Sequence, residues 1–228
     1  MQVENCEKLL DGVTSKDLYL SAAYPRFKSC VESNMNRHFI GLVATVLAFG
    51  WSTSVMAADP VVAVIKTTKG DIKVELDAEK APITVENFVK YVKDGHYEGV
   101  IFHRVIDRFM IQTGGFTPDM KEKKTRASIK NESSNGLPNV KYTLAMARTP
   151  APNSASSQFF INTADNAFLD RANADDRVGY AVFGKVIDGQ KVVDEIGKAK
   201  TGRKAGMDDV PVEPILIEKV IIEEKAKK

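Results

Sequence analysis

Cysteine is nearly absent from this 228-residue chain. Cys6 and Cys30 are the only two, and both fall within the first 34 residues, so the rest can hold neither a disulfide nor a thiolate metal site and offers no thiol nucleophile. Tryptophan occurs once, as Trp51, and the three histidines, His38, His96 and His103, are too few for a histidine-rich metal centre. No sign of charge dominates either. The 32 basic and 30 acidic side chains are well mixed and leave a net charge of +2, which supplies no broad basic face for nucleic acid and no acidic tail. Also missing are a Gly-x-Ser-x-Gly elbow, a glycine-rich phosphate loop ending in Lys and Ser/Thr, and a His-Glu-x-x-His pair. Hydrolysis, phosphoryl transfer and metal-assisted chemistry lose their usual parts, and no cofactor is implied.

Long hydrophobic runs are scarce too. The one uncharged apolar stretch covers residues 39–51, about thirteen residues against the roughly 20 needed to span a bilayer. It follows Asn36-Arg37-His38 and precedes Ser52-Thr53-Ser54-Val55-Met56-Ala57, which makes a basic n-region, an apolar h-region and a small-residue cleavage site. Residues 35–57 therefore read as a secretory signal peptide cut before Ala58, and the destination is the periplasm, with secretion to the medium the second choice. A signal peptide begins near the start of translation, yet residues 1–34 carry five acidic and four basic side chains ahead of it. The economical reading makes Met35 the initiator and 1–34 an upstream extension; a longer precursor or a signal anchor with a cytoplasmic tail is the rival. Residues 58–228, with neither cysteine nor tryptophan, then form one domain without stable membrane insertion.

That part is patterned throughout. Residues 61–68 and 71–76 alternate apolar and polar around Lys69-Gly70, as a hairpin does. Pro82 opens a segment in which Val85, Phe88, Val89 and Val92 fall at i, i+3, i+4 and i+7, an amphipathic helix ended at Gly95. Strand-like runs follow at 100–105, 109–113, 141–147, 158–163 and 181–186, then a second helix over 190–196 and a last strand at 215–222. Many strands with two helices fit a mainly β protein, such as an antiparallel sheet closed into a barrel that leaves no edge, though composition alone does not tell a barrel from a sandwich.

Three segments carry the chemistry. In 102–116 two cationic side chains, Arg104 and Arg108, stand among apolar residues that alternate as a strand does, with His103 beside the first. Ala145-Met146-Ala147-Arg148-Thr149 and Ser157-Gln158-Phe159-Phe160-Ile161-Asn162 follow some forty residues on. Together they resemble the signature of the cyclophilins, cyclosporin-binding peptidyl-prolyl isomerases, over about residues 61–222, and most of all the bacterial exported branch. The resemblance implies a closed eight-stranded antiparallel barrel capped by two α-helices. It also implies rotation about X–Pro bonds, a reaction that breaks no covalent bond, faces a barrier of about 18–20 kcal/mol from amide resonance and takes tens of seconds unaided.

Residue roles follow from matching positions. Arg104 corresponds to the family's catalytic arginine. Phe109, Met110, Phe160 and Leu169 correspond to its proline pocket, with Phe102 in the same hydrophobic cluster. Gln112 and Gln158 would hold the substrate backbone or Arg104, while Ala147, Arg148 and Thr149 would line the groove beside the residues preceding proline. His103 is either a substrate contact or a structural histidine at the rim, and Arg148 has a rival reading as a solvated charge at a strand end. Phe168 and Tyr180 stand where many relatives have Trp and His, so cyclosporin binding should be weakened. Asp107-Arg108 replaces Pro-Gly, and Thr113 replaces a glycine and is expected in ordinary strand conformation. Asp165 and Asp170 lie in a loop with Asn162 and Asn166 and read as turn chemistry rather than a catalytic carboxylate pair. Proline-containing polypeptides are the expected partners of a monomer that assists the folding of exported proteins. The alternative is a binding module or holdase for proline segments, in which turnover is incidental.

Overall fold

The computed structural model describes residues 61–223. The expected leader and its cleavage point, both cysteines and Trp51 lie outside them.

Alternation makes the first hairpin. In β1 (Val61–Thr67) the buried positions are Ala63, Ile65 and Thr67, and in β2 (Gly70–Leu76) they are Ile72, Val74 and Leu76, so one face of each strand is apolar. α1 (Pro82–Lys93) begins with proline at its first turn and buries Val85, Phe88 and Tyr91. Ala81 cannot cap it, and a distant carboxylate does so instead. Glu132 accepts from the backbone N–H groups of Ile83 (3.1 Å) and Thr84 (2.8 Å) and from the Thr84 hydroxyl (2.7 Å).

The short strands β3 (Arg104–Ile106), β4 (Met110–Thr113), β5 (Thr143–Met146) and β6 (Phe159–Asn162) precede β7 (Val182–Asp188) and α2 (Gln190–Gly197). A hairpin of β8 (Thr201–Lys204) and β9 (Met207–Pro211) intervenes before β10 (Ile217–Glu223). The eight longer-range strands form one antiparallel sheet in the order β10-β1-β2-β7-β5-β6-β4-β3. Its two edges meet through the segment before β3. Phe102 N–H donates to Ile215 (3.0 Å), Ile217 N–H to Val100 (2.8 Å), and Ile101 bridges Leu216. The sheet thus curls round until its ends touch over a few residues, as the barrel expectation requires in essence.

Inside lies one core to which both helices contribute, Val85 and Phe88 from α1 and Val193 and Ile196 from α2. At its centre Phe88 packs on Tyr97 (ring centroids 5.2 Å apart), Phe159 (5.5 Å) and Phe183 (5.6 Å). Thr113 sits within β4, is fully buried and donates its hydroxyl to Ile101 (2.9 Å), so the β-branched residue fits a strand as expected. Arg108, by contrast, has φ +53°, the left-handed conformation that its glycine counterpart would adopt freely. The β8–β9 hairpin was not anticipated. β8 is mostly exposed while β9 ends in the buried Val210 and Pro211, and the hairpin turns at Ala205 and Gly206, both with positive φ.

Candidate active site

Every residue of β5 and β6 is buried, which a strand with one solvated face cannot achieve. Leu144, Met146, Phe159 and Ile161 belong to the barrel core, while Ala145 and Phe160 point the other way into a second cluster with Met110, Leu169 and Val182. Ile106, Phe109, Leu137, Ala147 and Tyr180 pack around it, partly exposed. Strand register aligns this outer face. Arg104 lies opposite Gln112, Gln112 opposite Phe160, Phe160 opposite Ala145, and Ala145 opposite Val182. Residues so paired stand about 4.5–5.5 Å apart at Cβ, so a guanidinium, an amide and an apolar wall form one row across five strands.

The amide is held. Gln112 donates from Nε2 to Gln158 Oε1 at 2.9 Å. Gly114 and Gly115 make room for this pair: a Cβ on Gly115 would stand 2.6 Å from Gln158 Nε2, and one on Gly114, whose φ is +93°, would stand 2.5 Å from the Ser157 carbonyl. Below the apolar wall, buried asparagines tie the surrounding loops. Asn162 donates to Thr143 Oγ1 (2.9 Å), and Asn166 donates to Asn162 Oδ1 (2.7 Å) and to the Phe109 carbonyl (2.8 Å). Asp170 accepts from the backbone and side chain of Asn139 (2.7 and 2.9 Å), and Asp165 accepts from the Lys141 N–H (2.8 Å). Both carboxylates therefore serve turns. Phe168 stands more than half exposed and stacks on Phe109, centroids 5.7 Å apart.

His103 is buried against Phe116, with ring centroids 4.7 Å apart and an Nδ1 that has no hydrogen-bond partner. Burial pushes its pKa down to about 4, with the Arg104 charge adding to the effect and the nearby Ile101 carbonyl and Gln158 side chain opposing it. The ring is neutral at neutral pH. No carboxylate among the described residues pairs with the half-buried Arg104. A free guanidinium beside a dry apolar wall can donate to a neutral acceptor held against that wall.

The family profile "Cyclophilin type peptidyl-prolyl cis-trans isomerase/CLD" matches residues 62–222. The chain belongs to the cyclophilins. It is 57% identical over 155 residues to a peptidyl-prolyl cis-trans isomerase of Streptomyces antibioticus, covering 68% of this chain and 93% of that one. It is 47% identical over 192 residues to peptidyl-prolyl cis-trans isomerase A of Dickeya dadantii, covering 84% of this chain and all of that one. The crystal structure of a cyclophilin-type isomerase of Cryptosporidium parvum superposes with a TM-score of 0.61 at 25% identity, over 73% of this chain and 99% of that one. The protein is thus a peptidyl-prolyl cis-trans isomerase with bacterial cyclophilins among its relatives.

The cyclophilin motif residues are not all brought to one surface. Arg104, Phe109, Met110, Gln112, Ala147, Gln158, Phe160, Phe168, Leu169 and Tyr180 surround the outer face. Phe102 does not share their cluster; it is fully buried in the barrel core, because the chain there runs between Ile215 and the β4 side rather than along the outer row. Arg148 is no solvated charge. Its side chain is 3% exposed, it donates from Nε to the Gly179 carbonyl (2.9 Å), pairs with Asp176 and lies over the Tyr180 ring at 4.5 Å. Thr149 is exposed and tied to Ser154. Ile106, Leu137, Ala145 and Val182 also line the cluster but were given no role from sequence, although Ile106 and Ala145 lie within the motif segments. Period-2 spacing from Arg104 and Ala147 would have found Ile106 and Ala145; Leu137 and Val182 carry no local signal.

Proposed function

We propose that the row from Arg104 to Val182 is where an X–Pro bond is held and turned. Phe109, Met110, Phe160 and Leu169 grip the proline ring, and Gln112 and Gln158 hold the adjoining backbone through amide hydrogen bonds. Arg104 donates to the prolyl nitrogen, which favours its pyramidal, twisted form and withdraws the amide resonance that sets the barrier. Arginine suits this because its planar fork remains charged at any accessible pH. The observation that carries the assignment is the cross-strand row itself, with a guanidinium free of carboxylates two positions from Phe160. The same guanidinium favours turnover over a holdase that merely binds proline segments, since binding alone needs only the apolar wall. NMR exchange spectroscopy on an X–Pro peptide, run beside a binding titration, separates the two: binding without exchange would favour the holdase.

The clients are extended, proline-containing polypeptides, and the working form is a monomer. Cyclosporin binds weakly, because Phe168 and Tyr180 replace residues of the drug-binding wall. The protein is exported to the periplasm through a leader at residues 35–57, with Met35 as initiator. The Dickeya alignment supports a segment before the domain, since 192 residues exceed the 62–222 match by more than residues 223–228 can supply and so run upstream of residue 62. No helix among the described residues is long and apolar enough to cross a membrane. Intact-mass analysis of protein from the periplasm should give Ala58 as the N-terminus and, with Trp51 removed, a tyrosine-only fluorescence spectrum. Recovery with residues 1–57 attached would overturn the leader.

A further inference from the structure

An open groove of about 820 Å³ lies beside the proline pocket, between residues 133–138 and 170–177. Leu137 belongs to both, lining the groove and packing on the Met110–Phe160 cluster, and Asp170 of the groove directly follows Leu169 of the pocket. Any polypeptide seated in the pocket therefore has this groove within reach of its flanking residues.

The groove wall has little regular structure but is firmly built. Ser133 donates to the Val178 carbonyl, Asn131 to that of Gly179 (3.2 Å) and Asn135 to that of Val182 (2.9 Å). The buried Arg148 ties the far side through Gly179 and Asp176. Gly179, at φ +67°, allows the loop to fold back on itself, for a Cβ there would meet the Arg171 nitrogen at 2.6 Å.

These bonds sort the loop's charges. Asp170 is occupied by Asn139, and Asp176 by Arg148 and the Val178 and Gly179 N–H groups, while Asp175 does not line the groove. Arg171 and Arg177 do line it, and no carboxylate among the described residues pairs with either. The groove lining thus carries two guanidinium groups without a carboxylate partner against one carboxylate, Asp170, which Asn139 holds in place.

We propose that this groove is a second substrate subsite, in which Arg171 and Arg177 receive an acidic side chain of the polypeptide whose proline occupies the pocket. It rests on the reading that the Arg104 row holds the proline. It makes the protein selective for clients with Asp or Glu near the X–Pro bond.

The test uses short X–Pro peptides with Glu or Gln placed two, three or four residues from the proline on either side, measured by NMR exchange and by titration. The wild type should bind and turn over the Glu peptide roughly three- to tenfold better than its Gln partner at one of these positions, with the advantage shrinking in 0.5 M salt as expected for exposed charges. The double variant Arg171→Gln, Arg177→Gln should lose that advantage while treating the Gln peptide as the wild type does. Equal handling of Glu and Gln at every position, or an advantage that survives in the double variant, would overturn the subsite. Absence of exchange on every peptide would count against Arg104 instead, and the titrations would still decide the Glu preference.

Discussion

The two faces of β4, β5 and β6 are made from adjacent residues and do opposite work. The inner face carries Ile111, Leu144, Met146, Phe159 and Ile161, all in one large core with both helices and an aromatic stack. The outer face carries Met110, Gln112, Ala145 and Phe160, continues to Arg104, and has only five buried apolar residues in its cluster. Inner residues satisfy one another. Outer residues keep an amide pair and a free guanidinium at the border of an apolar patch, an arrangement that is useful only when something else arrives. Stability should therefore be concentrated on one face and ligand recognition on the other.

Neighbouring phenylalanines offer the sharpest way to break that contrast. Phe159→Ala should cost about 3–5 kcal/mol of unfolding free energy, through a cavity in the closed core. Phe160→Ala should cost about 2 kcal/mol or less in denaturant unfolding but weaken proline-peptide binding strongly. Equal stability losses with unchanged binding would show that both faces are core.

Arg104→Ala should lower kcat/KM roughly 30- to 1000-fold, by analogy with removal of one donor aimed at developing charge, about 2–4 kcal/mol. Fold and ground-state binding should survive, and Arg104→Lys should rescue little. An alanine variant that exchanges its peptide like the wild type would remove Arg104 from catalysis.

The smallest expected effect concerns pH. His103 has a folded pKa near 4, below the value near 6.5 it regains on unfolding, so above about pH 6.5 it is neutral in both states and contributes nothing to the pH dependence. Below that, the unfolded chain takes up the proton first, and stability should fall as pH drops from about 6.5 towards 4, by at most about 1.4 kcal/mol per unit for this one site. His96, whose burial also lowers its pKa, adds to the same trend. His103→Gln should flatten the slope in denaturant titrations at pH 7 and pH 5. Activity, which depends on an arginine that stays charged and uses no histidine as a general base, should stay level from about pH 6 to 9.

Much of this was legible along the chain. The β1–β2 alternation, the 3.6-residue spacing from Val85 to Val92 and the run from Phe102 to Phe116 each announce their element or motif within a few residues. Other features were hidden by their dependence on distant partners. The β8–β9 strands are too charged to alternate, and the hairpin gains its support by packing on β3 and through Lys204 donating to the Pro118 carbonyl (2.9 Å). Phe102 was placed with the pocket from the motif resemblance, whereas the chain that donates from Phe102 N–H to Ile215 carries its ring into the core. The rival reading of Arg148 as a solvated charge could arise because Gly179 and Asp176, which hold its guanidinium, lie about thirty residues further on.

By itself, then, the sequence determined the strand and helix periods and the family motif, since each depends on residue type and short spacing. Only the tertiary structure decided which side of a strand faces the barrel, that five strands align Arg104 with Val182, and which charges of the 170–177 loop stay free. Register and long-range hydrogen bonds make those choices, and they join residues that no local pattern connects.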